Sequence, residues 1–393
     1  MTIPGGRQHV YLSSNFWSSL WIIQQPICNE IQRTEPVLYV ERFVSIFTVL
    51  RYPALWPRLF LWVRGARQVS PNLRLLAPLP LFHLGHRFPA LFRLEFLLQR
   101  LWIGWWANRT GPAPRLLWID NPLYECAVGR LGETASIYHV ADEVTAFPTS
   151  EARVLGALER RLLSKVTLVF AAAEQLAADK RQHHPRVHTV WNAIDPQAFA
   201  QATPPVDVAD VVTIPSPRVA FVGVLDQWVD LELLETAARR LPAIHFVIVG
   251  ESRVNDAALR DRPNVHLIGP RDRRVVPAIL RLCSASLVPF KKIPLTERIL
   301  PLKVFEALAA GILPVCTGFS KDLERLEGEG LVAIGQDRAG FVEAVARAVE
   351  DDTPERRRRL AAYGGDQTWA RRWADMQSIT HEFTSPRGAS VAP

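Results

Sequence analysis

Arg218-Val219-Ala220-Phe221-Val222-Gly223-Val224-Leu225-Asp226-Gln227-Trp228-Val229-Asp230 opens as an apolar, β-branched run, stops at a glycine and passes into a helix-forming stretch over 230–241. A second apolar run, 244–249, ends on Gly250. A short strand, a glycine turn, an amphipathic helix and another short strand make one βαβ unit. Repeats of that unit build a parallel sheet. Downstream the spacing predicts strands at 265–268, 285–289, 313–316 and 331–334, with helices at 273–283, 302–310, 339–350, 354–363 and 367–383. Upstream it predicts strands at 9–12, 37–40, 73–77, 116–119, 136–139, 167–171 and 188–191, with helices at 22–33, 89–108, 150–163 and 173–183. Between Asp195 and Pro217 the rhythm stops in a polar stretch broken by Pro196, Pro204, Pro205, Pro215 and Pro217. That composition reads as a linker. The expectation is an α/β chain of two Rossmann-like doubly wound domains facing each other across a cleft. They are an N-terminal domain over 1–196 and a C-terminal domain over 218–366, joined by the linker 197–217. A helix at 367–383 crosses back, and a frayed tail at 384–393 ends the chain.

Composition agrees with two domains. The chain has 393 residues, of which 48% are apolar and 22% charged, a globular balance. Cys28, Cys126, Cys283 and Cys316 lie far apart with no C-x-x-C pair, which suits a reducing compartment and argues against a disulfide framework. No apolar run reaches membrane-spanning length, since Arg51, Pro53, Pro57 and Arg58 interrupt the most apolar stretch, 43–63. The patch at 16–23 lacks the basic start and the small-residue cleavage site of a signal peptide. The expected location is therefore cytoplasmic. Charge is uneven: residues 1–118 hold 13 Arg, no Lys and four Glu, a net +9, and eight of the twelve Trp, while residues 119–393 net −2. A basic, aromatic first quarter points to an acidic partner: an anionic membrane surface, a phosphate-bearing substrate or nucleic acid.

Ligands in doubly wound sheets bind beyond the carboxyl ends of the strands, at helix starts. The sharpest candidate is Ile299-Leu300-Pro301-Leu302-Lys303-Val304-Phe305-Glu306-Ala307-Leu308-Ala309-Ala310-Gly311. Pro301 suits a helix start and Gly311 a helix end. The first amides, with Leu302 and Lys303 in the opening turn, offer a site for a diphosphate. Glu306 lies three residues on, on the same face, where a carboxylate can accept hydrogen bonds from both ribose hydroxyls. The same spacing also suits an ordinary surface pair. Asp142 and Glu143 follow the strand at 136–139; either can take a proton from an acceptor hydroxyl or simply brace the loop. His139 is a competing base or a structural histidine. The loop Ser13-Ser14-Asn15-Phe16-Trp17, after the first strand, is a cleft floor or a plain polar turn. The stretch 82–109 sets Arg87, Arg93, Arg100 and Arg109 among Phe and Trp at helical spacing. It can lie flat on an anionic bilayer or present a core-facing stripe. His183, His184 and His188 are separated by Pro185, so no metal site is expected; no G-x-G-x-x-G, P-loop or H-E-x-x-H pattern occurs.

The run 219–230 resembles the first βα turn in the C-terminal half of GT-B glycosyltransferases of family 4. Asn264-Val265-His266-Leu267-Ile268-Gly269 is similar to a strand of that half, and Pro301-Leu302-Lys303-x-Phe305-Glu306-x-Leu308-Ala309-x-Gly311 resembles its donor helix. Tyr138-His139-Val140-Ala141-Asp142-Glu143 and Trp191-Asn192-Ala193-Ile194-Asp195 are similar to an N-terminal element and the hinge of the same group. The resemblance covers roughly residues 115–375 and is thin before Arg115. It implies a retaining transferase that needs no metal or other cofactor, with a nucleoside-diphosphate sugar as donor. It implies that Glu306 holds the ribose and that Lys303, with the amides after Pro301, holds the diphosphate. Gly223 and Val224 would present a loop to the same phosphates, and Gly250, Glu251, Gly269 and Arg271 would frame the base. Departures stand at Arg298, where many relatives carry Glu eight residues before Glu306, at Asp226 and Gln227, where many carry Arg and Lys, and at Ala193, the hinge glycine.

The reading that joins these observations is sugar transfer in glycolipid, polysaccharide or secondary-metabolite synthesis. Asp142, Lys303 and Glu306 would carry the chemistry. Gly223, Val224, Gly250, Glu251, Gly269, Arg271, Arg298 and Leu302 would join Lys303 and Glu306 at the donor. Asn15, Trp17, His139 and Glu143 would meet the acceptor. The partners are a nucleotide sugar, a hydroxyl acceptor that a lipid can carry, and an anionic membrane at 82–109, with no nucleic acid. A sugar-nucleotide epimerase on the same scaffold, or a catalytically silent nucleotide-sugar or glycan-binding subunit, are the alternatives.

Overall fold

A computed structural model describes residues 6–18, 23–82, 88–111, 114–146, 152–195, 197, 199 and 208–384. The chain forms two compact units: Met1–Ala172, Leu176–Val190 and Arg372–Pro393 make the first, and Ala173–Gln175 with Trp191–Arg371 the second. The chain thus changes unit at Trp191, ahead of the boundary at 196 read from the sequence.

The first unit holds an eight-stranded sheet in the order β3-β4-β2-β1-β5-β6-β7-β8. Its strands are β1 (Gln8–Leu12), β2 (Val37–Val40), β3 (Arg67–Ser70), β4 (Leu73–Leu76), β5 (Arg115–Ile119), β6 (Ala135–Val140), β7 (Leu168–Ala171) and β8 (Val187–Thr189). All pair in parallel except β3 against β4. Parallel strands are covered on both faces, which is why β1, β2 and β6 are buried along their whole length. A row of rings crosses the sheet: Tyr39 and Tyr11 stack at 5.9 Å, Tyr11 and Trp118 at 6.0 Å, Trp118 and Phe170 at 6.1 Å. The helices of this part are α1 (Gln24–Ile31), α2 (Ile46–Arg51), α3 (Pro57–Arg64), α4 (Pro89–Thr110), α5 (Ala152–Leu163) and, from Leu176 on, α6 (Glu174–Arg181).

The second unit holds a six-stranded, all-parallel sheet in the order β11-β10-β9-β12-β13-β14. Its strands are β9 (Arg218–Val222), β10 (His245–Val249), β11 (Val265–Gly269), β12 (Ala285–Val288), β13 (Leu313–Thr317) and β14 (Ala333–Gly335). The helices are α7 (Ala209–Thr213), α8 (Leu231–Arg240), α9 (Ala257–Arg260), α10 (Val276–Arg281), α11 (Leu302–Ala309), α12 (Lys321–Gly328), α13 (Arg338–Glu350) and α14 (Pro354–Asp366). Asp230 caps α8 by accepting from the Leu233 amide, which explains why the helix begins where the βα turn ends. The last helix, α15 (Trp369–Thr384), starts in the second unit and from Arg372 belongs to the first. There Trp373 meets His9 edge-on at 5.6 Å and Trp118 at 6.1 Å.

Several elements differ from the sequence reading. The edge strand β3 escaped it because Arg67, Gln68 and Val69 are exposed and form no apolar run. The helices α2 and α3 escaped it because Pro53 and Pro57 break the pattern, yet each proline sits at a helical start, where it does no harm. The single helix expected over 273–283 is a 3₁₀ turn, Arg273–Val275, followed by α10, with Pro277 at its start. Helix α7 lies inside the stretch read as a linker; most of the remainder of that stretch before 208, and the tail beyond 384, lie outside the described residues.

Candidate functional site

In the second unit the chain winds outward from β9 to β10 and β11 on one side, and to β12, β13 and β14 on the other. The carboxyl ends of β9 and β12 therefore part at a switch point, where loops diverge and leave room for a ligand. Three glycines end the strands on one side of it: Gly223 and Gly250 at φ +141, Gly269 at φ +74. They are laced together, with the Gly223 amide donating to Val249 O (2.8 Å) and the Gly250 amide to Gly269 O (2.9 Å). A Cβ on Gly250 would fall 2.0 Å from the Gly223 carbonyl oxygen, and one on Gly223 would fall 2.8 Å from Lys303 Nζ. Close approach requires glycine at 223 and 250 and brings their turns to Lys303, whereas at Gly269 only the positive φ favours glycine.

Helix α11 reaches the same place. Pro301 is its extended N-cap, with φ −66° and ψ 139°, and no side chain caps the start. Gly311, at φ +80, turns the chain away after Ala310. The Lys303 ammonium lies 4.4 Å from the centre of the Phe221 ring and 4.7 Å from that of Phe290. Among the described residues it has no hydrogen-bond or carboxylate partner. Burial pushes its pKa down to about 8 against the opposing pull of Glu306. Glu306, one turn deeper, faces Arg273 at 3.4 Å, and burial raises its pKa despite Arg273 and Lys303. An unpaired cation, a half-buried carboxylate and free helix amides at one switch point form a site shaped for a polyanion with hydroxyls beside it.

The other expected donor residues are placed as follows. Leu302 opens α11, and Val224, beside Gly223, is half-buried. Glu251 is exposed and pairs with Arg253 at 3.1 Å. Arg271 is engaged by Asp210 of α7. Arg298 donates to Pro294 O (2.8 Å) and lines a cavity of about 290 Å³ with Lys292, Glu297, Phe319, Lys321 and Glu324. Phe319 stands 5.3 Å from Phe290, so this cavity adjoins the aromatic cradle of Lys303. Asn192, beside the expected hinge, donates to Leu300 O at 3.2 Å, and Ala193 is fully buried.

In the first unit the expected acceptor residues separate into two groups. Glu143 is a brace: Lys180 Nζ lies 2.7 Å from its Oε2 and 2.8 Å from Glu159 Oε2, and Thr145 donates its amide and hydroxyl to Oε1. Its carboxylate is held by these partners, the arrangement of the loop-bracing alternative. His139 is buried, sits 3.3 Å from the Tyr11 hydroxyl and is held neutral by desolvation, with its pKa down to about 4. It is a core histidine in this unit. Asp142 is exposed just beyond β6 and has no hydrogen-bond partner among the described residues. Asn15 and Trp17 lie in the loop after β1: Asn15 Nδ2 donates to Gln24 Oε1 (3.1 Å), and the Trp17 ring packs edge-on against Tyr39 at 5.0 Å.

That loop is held by a residue the sequence reading missed. Asp120 ends β5, at the switch point of the first sheet, and accepts from the Ser14 amide at 2.7 Å and the Ser13 hydroxyl at 3.1 Å. Burial lifts its pKa to about 7 against those hydrogen bonds. A carboxylate directly after an apolar run was the signal, the same one that drew attention to Asp142.

Residues 216–351 match the family described as Glycosyl transferases group 1. Over 167 residues the chain is 27% identical to TuaH of Bacillus subtilis (strain 168), a protein assigned to teichuronic acid biosynthesis as a glycosyltransferase; the match takes in 40% of this chain and 42% of that protein. Among solved structures, sucrose-phosphate synthase from Thermosynechococcus elongatus is similar with a TM-score of 0.67 at 14% identity, over 96% of this chain and 98% of that one. HepE of Anabaena, in complex with UDP and glucose, is similar with a TM-score of 0.64 at 12% identity, over 96% and 100%. A structure of E. coli trehalose-6-phosphate bound with UDP-2-fluoro glucose gives 0.67 at 13%, over 96% and 99%. The stretch 216–351 is therefore similar to the group 1 glycosyl transferases, in a chain that shares the fold of these solved structures.

Proposed function

We propose that the chain moves a sugar from a nucleoside-diphosphate sugar to an acceptor hydroxyl with retention at the anomeric carbon. The observation that carries this reading is Lys303: a cation stripped of counterions, cradled by Phe221 and Phe290 at an uncapped helix start beside three glycine turns. As the bond from the anomeric carbon to the diphosphate breaks, the electron pair leaves on the diphosphate. Its charge meets the ammonium and the amides of Leu302 and Lys303, fixed donors that need no rearrangement. In this reading no metal or other cofactor is required. Glu306 takes the ribose hydroxyls, and the cavity lined by Arg298 and Phe319 takes the sugar. The acceptor oxygen bonds to the anomeric carbon and its proton passes to Asp142, the expected acceptor-side carboxylate that stays uncommitted.

The complexes of HepE with UDP and glucose, and the one with UDP-2-fluoro glucose, support a uridine nucleotide as donor. The TuaH relative, named for teichuronic acid biosynthesis, supports a role in polysaccharide or glycolipid synthesis; the basic, aromatic first quarter of the chain supports an acceptor carried by a lipid. A thermal-shift panel with UDP, GDP and dTDP tests the donor assignment, because a bound ligand raises the melting midpoint with its saturation. UDP should give the largest shift, and Lys303→Met should abolish it. An unchanged shift in that variant would remove Lys303 from the site.

A further inference from the structure

Helix α4 carries apolar residues on both its buried and its exposed sides. Its buried side carries Glu95 and Gln99 among Phe92, Phe96 and Ile103. Those polar groups are satisfied by backbone: Glu95 accepts from the Phe82 amide at 3.1 Å, and Gln99 accepts from Leu79 N at 3.0 Å and donates to Leu79 O at 2.7 Å. The exposed side carries Leu94, Leu97, Leu98, Leu101 and Trp105, with Leu101 63% exposed. Their spacing is that of a single helical stripe. An apolar stripe left exposed beside an already apolar buried side marks a surface for contact.

The stripe continues into α2 and α3. Phe47, Tyr52, Trp56, Phe60 and Val63 are exposed there, Phe60 at 67% and Val63 at 68%. Flanking segments bring the two regions near each other. Phe47 and Phe82 lie 5.7 Å apart, and a Cβ on Gly65 would fall 2.0 Å from the Trp106 ring. No helix of the described residues is long and apolar enough to cross a membrane.

We infer that the exposed apolar face of α2, α3 and α4 docks on an anionic lipid bilayer. This deepens the reading of a lipid-linked acceptor and rests on it only for its purpose. Charge decides the partner. Arg51, Arg64, Arg67, Arg100 and Arg109 are exposed around the face and have no carboxylate partner among the described residues, and the one acid between Glu41 and Asp120, Glu95, is buried. A self-associating pair would set arginine against arginine across a twofold axis. Anionic headgroups neutralise the arginines while the leucines and aromatics enter the acyl boundary. Arg109 over the Trp105 ring at 3.4 Å is already such a pair, with an apolar plane below and a cation for the headgroup above.

The test is co-sedimentation of the full chain with vesicles of phosphatidylcholine alone or with about one quarter phosphatidylglycerol. The parent should bind the anionic vesicles and lose binding as salt rises. The double variant L97E/L101E should bind at least about tenfold more weakly, while its thermal shift with UDP stays that of the parent. Failure of the parent to bind, or equal binding by the variant, would overturn the inference. So would a dimer of the parent that the variant converts to a monomer. Loss of the UDP response with vesicle binding intact would instead remove the transferase reading and leave the docking face standing.

Discussion

Gly250 presses its backbone against the carbonyl of Gly223, so closely that a methyl group would stand 2.0 Å from that oxygen. Two strand ends of one sheet are thus locked into a single turn surface under Lys303. Gly250→Ala forces both an unfavourable φ of +141 and a backbone clash. It should cost about 1–3 kcal/mol of stability and most of the nucleotide affinity. Gly269→Ala, at φ +74 with nothing within 4 Å, should cost only about 1 kcal/mol. Thermal melts with and without UDP read both effects; equal losses in the two variants would contradict the close approach.

The Lys303 ammonium has a pKa of about 8, depressed by burial from 10.5. A diphosphate needs the charged form, so UDP affinity should hold below pH 8 and fall as pH rises through it. Binding should take up protons in that range. The sign for stability is opposite: the unfolded chain keeps its proton longer, so the ligand-free fold gains stability from about pH 8 toward 10.5. Calorimetric titrations across pH 7–10 check the first expectation. Lys303→Arg, charged throughout, should flatten the profile.

Glu306→Gln keeps the shape but removes a charged acceptor for the ribose hydroxyls. The loss should be roughly 1.5–3 kcal/mol for UDP and much smaller for 2′-deoxy-UDP, which lacks one of those hydroxyls. Competition titrations compare the two. Equal losses would place Glu306 away from the ribose.

Lys180 is buried between Glu143 and Glu159, with the Tyr138 hydroxyl donating to Glu159 at 2.8 Å. Lys180→Met leaves two carboxylates buried without their cation and should cost about 3–5 kcal/mol. Adding Glu143→Gln and Glu159→Gln should recover much of it, since the uncompensated charges are then gone. Chemical denaturation measures both. No recovery in the triple variant would mean that Glu143 does more than brace its loop.

Helix α11 was legible because its punctuation is local. Pro301 and Gly311 mark its ends, and Lys303 and Glu306 share a turn. The glycine turns were legible for the same reason. What local pattern cannot hold is a partner distant in sequence. Lys180 lies 37 residues from Glu143, so nothing near Glu143 announces that its carboxylate is occupied. Asp120 reaches back 106 residues to the Ser14 amide. Phe221 and Phe290 meet Lys303 only because β9 and β12 are neighbours in the folded sheet. The sequence left α4 open between a bilayer-facing and a core-facing stripe, because its apolar residues recur all round the helix. Only burial in the fold separates the inner set, Phe92, Glu95, Phe96, Gln99 and Ile103, from the outer leucines.

Trp373 closes the ring stack over His9 and Trp118, yet it is made only after the stretch Trp191–Arg371 of the second unit. On the ribosome, the lobe begun by the first strand waits for the final helix before its aromatic layer is sealed. A truncation ahead of that helix would therefore injure the beginning of the protein rather than its end. The two lobes are synthesised in sequence but finished together.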